Sequence, residues 1–124
     1  MYAMLLSINP NHVDNIFNGS KKYEFRKVRC KESISKIVIY STSPVMKVVG
    51  EAEIEKVLEE HPEDLWRITS EHAGIDKEFF DEYYKGRSLA IAYELKKIEQ
   101  YPRGRALSDY GLTSAPQSFA YVDP

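Results

Sequence analysis

The chain has 124 residues, 43% of them hydrophobic and 29% charged, with a net charge of −2. That length suits a single domain, 1–124, and leaves no room for two independent cores. No apolar run approaches the roughly 18 to 20 residues that a membrane-spanning helix needs, so no membrane partner is expected.

Ala3–Ile8 is an apolar run interrupted only by Ser7, consistent with a buried strand. No basic segment precedes it and no small-residue cleavage site follows, so it reads as a first strand rather than a leader. The lone Cys30 allows no internal disulfide and fits a reducing compartment, so a cytoplasmic location is expected. Asn9-Pro10 opens a helix, with an N-cap residue and then proline at the first helical position, where its missing N–H costs nothing. Val13, Ile16 and Phe17 recur at helical spacing, and Gly19 stands where a left-handed residue ends the helix, which places it over Pro10–Asn18.

Lys22–Lys27 alternates as a half-buried strand, with Tyr23 and Phe25 on one face and Lys22, Glu24 and Arg26 on the other. Ile34–Thr42 is rich in β-branched residues and reads as a strand. Val48–Val57 alternates Ala52 and Ile54 against Glu51, Glu53 and Glu55, a solvated strand face. Pro62, Glu63 and Asp64 form an acidic first helical turn, favourable at the positive end of the helix dipole, and Gly74 can stop that helix. Asp76 caps a further helix bearing Phe79, Phe80, Tyr83 and Tyr84, an aromatic cluster read as a packing face, with Gly86 as its stop. Leu89–Leu95 is the last clear strand, continuing towards Tyr101. The tail, 102–124, is rich in Gly, Pro and Ser and lacks periodicity, although Phe119 and Tyr121 imply that it packs down. The order is β-α-β-β-β-α-α-β with an extended tail: an α+β domain in which five to six short strands form a mixed barrel flanked by three helices. There is no Gly-rich phosphate loop set in strand–helix alternation, which excludes a dinucleotide fold.

Charge is segregated along the chain. Residues 1–50 carry eight Lys/Arg against three acids, a net of +5, while residues 51–85 carry four against twelve, a net of −8. The basic cluster Lys21, Lys22, Arg26, Lys27, Arg29 and Lys31 is the feature that can attract phosphate, or it is a solvated surface balanced by the acidic middle. Within it, Gly19 releases the chain from a helix, Lys21 lies in the turn, and a strand then projects Glu24 and Arg26 from one face. Two cations and a carboxylate this close can bind a phosphate or a polar base edge; the alternative is a surface ion pair worth little. His12, His61 and His72 are scattered without ligand spacing, so no metal is expected. His12 reads as an exposed helix turn and His61 as a residue of a helix cap.

Gly19, Lys21, Glu24 and Arg26 realise Gly-x-Lys-x-x-Glu-x-Arg, and with that pattern the chain resembles the ASCH domain family. The resemblance includes Ser7-Ile8-Asn9-Pro10, Phe17-Asn18-Gly19, Tyr-Glu-Phe-Arg at 23–26, Ile39-Tyr40-Ser41-Thr42-Ser43-Pro44 and Val48-Val49-Gly50-Glu51. It continues through Tyr84-Lys85-Gly86 and Ala115-Pro116-Gln117-Ser118-Phe119, so that it covers residues 3–121. It implies a PUA-like barrel with a cleft at the signature segment and a ligand that is RNA or nucleotide-like; many members are described as transcription-related regulators. It also implies hydrolytic branches, one removing acyl groups from acylated cytidines and another cleaving RNA. In the first branch a lysine, a nearby threonine and a distant glutamate act; Lys21 matches the lysine, but Glu24 stands at the threonine's position, and a carboxylate does not replace an activated hydroxyl.

The expectation is therefore an RNA- or nucleotide-binding module without a cofactor, with protein partners unspecified. Its ligand would be held by Gly19, Lys21, Lys22, Glu24 and Arg26, with Ser41, Ser43, Gln117 and Ser118 at the rim. The alternatives are a small hydrolase acting on modified nucleosides or RNA, with Lys21 and Glu24 as its acid–base pair, and a protein-interaction domain using the acidic helices at 58–85.

Overall fold

The computed structural model describes residues 2–124. Six strands form one mixed sheet: β1 (Ala3–Ile8), β2 (Tyr23–Arg26), β3 (Lys36–Ser41), β4 (Lys47–Glu60), β5 (Ala90–Arg105) and β6 (Phe119–Val122). Three helices accompany them: α1 (Pro10–Phe17), α2 (Pro62–Thr69) and α3 (Lys77–Tyr83). This is the α+β, PUA-like architecture expected from the sequence, realised as a curled half-barrel. The strand order is β2-β5-β4-β3-β1-β6, with β1 and β3 parallel and every other pair antiparallel.

The run in β1 is apolar except at Ser7 because both faces of that strand are covered. Met4, Leu6 and Ile8 enter a core with Ile37, Ile39, Tyr93 and the α1 residues Val13 and Ile16. Ala3 and Leu5 face the opposite way, towards Val38, Tyr40, Tyr101 and Tyr110, with the last carried on a short 3-10 turn at Leu107–Tyr110. A third core forms where α2 and α3 cover the β2–β5 end, built from Phe25, Leu65, Ala73, Phe80, Tyr84 and Ala92. Helix starts follow the capping chemistry: Asn9 Oδ1 accepts from Asn11 N, His61 Nδ1 from Glu63 N, and Asp76 Oδ1 from Phe79 N.

Most elements agree to within a residue or two at each end, and the larger differences from the sequence expectation lie in β4, β5, α2 and the tail. Strand β4 runs on to Glu60 and β5 to Arg105, because each is the other's long antiparallel partner and the ladder continues past the alternating segment through register shifts. Helix α2 ends at Thr69 and passes into a 3-10 turn at Ser70–His72 before Gly74. The tail holds β6, whose four residues pair antiparallel with β1 from Ala3↔Val122 to Leu6↔Phe119. A strand that short carries no readable period, and its partner lies more than a hundred residues earlier in the chain.

The site is set by where the sheet's two ends meet. β2 and β6 are the terminal strands and share no ladder. Arg26, at the end of β2, bridges them, since its Nη2 donates to Ser7 O on β1 at 2.8 Å and its Nη1 to Ser118 Oγ at 3.3 Å. Ser7 N in turn donates to Ser118 O at 3.1 Å, which closes the triangle.

Candidate functional site

Strand β2 alternates as its sequence dictates, sending Phe25 into the helical core while Glu24 and Arg26 face the other way. Lys21, in the turn just before it, is among the most buried side chains of the protein at 1% exposure, and Glu24 is 5% exposed. Burial of a lysine at this depth needs partners. Nζ donates to Ala73 O at 3.0 Å, lies 4.0 Å from Glu24 Oε1, and sits 4.7 Å above the centre of the Phe25 ring. On the other carboxylate oxygen, Arg26 Nε and Nη2 converge on Oε2 at 3.0 and 2.9 Å.

The loop 72–75 makes Lys21's seat. His72 O accepts from Lys22 N at 2.8 Å, and Gly74 O accepts from Asn15 Nδ2 at 3.1 Å. Gly74, at φ +69°, lies directly against the lysine stem, and a Cβ there would stand 2.7 Å from Lys21 Cγ. Only glycine combines that conformation with that approach.

In front of this cluster is a cavity of about 190 Å³ lined on its polar side by Ser7, Asn9, His12, Lys21, Glu24 and Arg26. Its apolar side is Ile8, Phe25, Ile75, Phe79 and Tyr83. Phe79 and Tyr83, one turn apart on α3, are stacked at 6.4 Å with 8° between their planes, and His12 meets Phe79 edge-on at 5.2 Å. Electrostatics follow from enclosure. Burial, and secondarily Arg26, holds the Lys21 ammonium below its usual range, while Glu24 opposes that shift. His12 is lowered by burial first, then by Lys21 and Arg26, against Glu24, so its imidazole is favoured neutral. The Tyr83 hydroxyl is pushed up by burial, so it remains a donor.

Of the residues singled out from sequence, the structure brings Lys21, Glu24 and Arg26 together in this cavity and ties Ser118 to Arg26. Gly19, at φ +88°, is exposed behind the turn, and Lys22 is exposed beside it. Ser41 is buried at the end of β3, Ser43 is exposed in the following turn, and Gln117 is exposed; none of these five lines the cavity. Arg26 differs from a free phosphate clamp: its donors are engaged by Glu24, Ser7 and Ser118. Sequence reasoning did not place Ser7, Asn9, His12, Phe79 or Tyr83 here. The only signal for the aromatic pair was the double i, i+4 spacing along α3 and its C-cap Tyr84, where Phe80 and Tyr84 turn to the core and Phe79 and Tyr83 turn to the cavity. Among the described residues no group of three His, Cys, Asp or Glu is arranged to hold a metal ion, and no helix is long and apolar enough to cross a membrane.

The geometry offers a flat aromatic wall facing a buried cation and a carboxylate. The volume lies below the several hundred Å³ of a pocket for a drug-sized ligand, so it suits one planar heterocycle with hydrogen-bonding edges.

Comparison with known proteins places this geometry in context. The family model described as "Domain of unknown function (DUF365)" matches residues 2–112. The large ribosomal subunit protein uL22 of Ureaplasma parvum serovar 3 is 32% identical over 121 residues, which is 97% of this chain and 39% of that protein, so the chain spans about two fifths of that relative. An ASCH domain-containing ribonuclease of Zymomonas mobilis is 29% identical over 93 residues, or 74% of this chain and 63% of that protein. The crystal structure of an ASCH protein from Zymomonas mobilis superimposes with a TM-score of 0.88 at 25% identity, covering 98% of this chain and 87% of that one.

Proposed function

This chain belongs to the DUF365 family and is an ASCH domain of PUA-like fold, and on that premise we propose that it binds RNA by seating one base in the cavity between Lys21–Glu24 and the Phe79–Tyr83 wall. The observation that carries this reading is the buried Lys21–Glu24 pair facing two stacked aromatic rings across about 190 Å³. Glu24 Oε1 and Lys21 Nζ supply an acceptor and a donor side by side, which match the edge of a base. An aromatic face accepts any base by stacking. Enclosure strengthens both contacts, because little water competes for them. In this reading Arg26 positions Glu24 and holds the sheet's ends together, while solvent-facing cations such as Lys22 and Lys27 attract the phosphate backbone. The name of the ribonuclease relative supports RNA as the polymer, and unpaired Cys30 goes with a cytoplasmic setting.

The test is equilibrium binding of labelled short RNAs by fluorescence anisotropy, with Phe79→Ala and Tyr83→Ala alongside the wild type. Each truncation should weaken binding by about ten-fold or more, the loss expected for one base–aromatic stack. RNA affinity that is indifferent to both truncations sinks the cavity as the base site.

A second reading is favoured by His12. A neutral imidazole shares the cavity with an ammonium and a carboxylate, which is the equipment for moving a proton from a ribose hydroxyl while a cation steadies the phosphate. If the domain cleaves RNA, His12→Asn and Glu24→Gln should abolish turnover, about two to four orders of magnitude each, while binding persists. Gel analysis of the RNA recovered from the binding assay decides between the two, since a pure binder returns it intact.

A further inference from the structure

We infer that the ligand is a single strand rather than a free nucleotide or a duplex, and that it continues from the cavity along loop 26–31 to a second base site at Tyr121. This rests on the base-binding reading of the cavity. The six residues 26–31 carry Arg26, Lys27, Arg29 and Lys31 and no acid. At one end of the loop Lys27 Nζ sits 4.7 Å over the Tyr83 ring, in the cavity wall; at the other, Lys31 Nζ sits 4.9 Å over the Tyr121 ring. Among the described residues neither lysine is in an ion pair, whereas Arg29, between them, is held by Glu59 at 2.9 Å.

The loop is anchored from beneath. The Tyr93 hydroxyl accepts from Cys30 N at 2.8 Å and donates to Val28 O at 3.2 Å, and Tyr121 Oη accepts from Lys31 N at 3.1 Å. Three hydrogen bonds therefore hold the backbone between the two lysine–tyrosine pairs. Beyond the second pair is a hollow of about 280 Å³ lined by Tyr2, Lys31, Ser33, Ile34 and Tyr121, with Tyr2 62% exposed.

A basic side chain beside each of two aromatic rings is what a single strand requires: each lysine turns from its ring to a phosphate, and an unstacked base takes its place on the ring. Ser118, bonded to Arg26 at the cavity, is three residues along the chain from Tyr121, about 10 Å at strand rise. At about 3.4 Å or more per nucleotide, that interval holds at most about three nucleotides. A duplex keeps its bases stacked inside and has none to offer either ring.

The test compares uridine 5′-monophosphate with oligouridylates of two, four and eight nucleotides and with a hairpin duplex closed by a non-nucleotide linker, so that it has no unpaired base, on wild type, Lys31→Ala, Tyr2→Ala and Tyr121→Phe. Lys31 and Tyr2 are exposed, so their truncation spares the core; Tyr121→Phe keeps the stacking ring and serves as the control that loses only the loop anchor. Affinity should rise by at least ten-fold between the mononucleotide and the tetranucleotide. Lys31→Ala and Tyr2→Ala should bring that ratio down towards one, and the hairpin should bind no better than the mononucleotide. A flat length dependence, a ratio unchanged in both truncations, or a hairpin that binds as well as the tetranucleotide overturns the path and leaves the cavity reading intact. A mononucleotide that fails to bind, together with oligomer affinity indifferent to Phe79→Ala, sinks the cavity reading instead.

Discussion

Glu24→Gln keeps the shape of the side chain and removes its charge, which isolates the electrostatics of the cavity. The carboxylate it replaces lies 4.0 Å from Lys21 Nζ and 2.9 Å from Arg26 Nη2. With Lys21 at 1% exposure, little water reaches it to take over as its partner. Breaking a buried pair by removing one member costs about 3 to 5 kcal/mol. The attraction between unit charges across 4.0 Å at an effective dielectric constant of about 20 is of that same size, about 4 kcal/mol before desolvation. Lys21→Met should be milder, because it leaves Ala73 O without its donor, about 1 to 3 kcal/mol, yet relieves a buried charge of its desolvation. The two together should therefore cost less than their sum, with a coupling of about 2 kcal/mol. Urea unfolding of the wild type, both single variants and the double variant measures the cycle. For a chain of this length each kcal/mol moves the melting temperature by about 3 to 6 °C, which gives an independent check. Additivity within about 0.5 kcal/mol would refute the reasoning: Lys21 would then be held by the Ala73 carbonyl and packing alone, with no energetic link to Glu24.

Gly74→Ala should cost about 2 to 4 kcal/mol in urea, since φ +69° strains any L side chain and the new Cβ meets the Lys21 stem. Gly19→Ala, at φ +88° in open space, should cost only the backbone share of about 1 to 2 kcal/mol, and equal losses at the two positions would show that the contact with Lys21 is soft. Because the folded state holds His12 below its ordinary 6.5, it binds fewer protons than the unfolded chain just under that pH. The stability involved is complete above 6.5 and falls as the pH drops towards the folded value, and His12→Gln should flatten that part of the melting-temperature profile. Lys21, lowered from 10.5, gives the same sign at the alkaline end: its penalty is complete below the folded value and is lifted as the pH rises to 10.5, a slope that Lys21→Met should lack. Arg26→Ala should leave Ser7 O and Ser118 without their bridge and speed amide exchange in β6, while exchange in β4 stays near wild type.

Local chemistry determined much of this protein. The apolar run at 3–8, interrupted only by Ser7, demanded a buried strand, Asn9-Pro10 demanded a helix start, and alternation at 23–26 separated Phe25 from Glu24 and Arg26. These features lie within one or two turns of the chain, where the periods of 2 and 3.6 are read directly. The family resemblance, carried by segments spread over the chain, added the barrel-like fold.

Which of these residues do what was decided only by contacts across long stretches of chain. Spacing put Lys21 beside Glu24 but gave no sign that Lys21 is buried, because its seat is built by His72–Gly74, some fifty residues later. Arg26 read as an open anion ligand until its donors met Ser7 and Ser118, the latter 92 positions away. The four aromatics of α3 and its C-cap look alike in sequence, and only the packing of that helix over Phe25 and Leu65 assigns Phe80 and Tyr84 to the core and Phe79 and Tyr83 to the cavity. His12 followed the same rule from the exposed side of α1. A helical period states which residues share a face; what that face meets is set by the energy of burying it against elements remote in the chain, and that is a property of the folded whole.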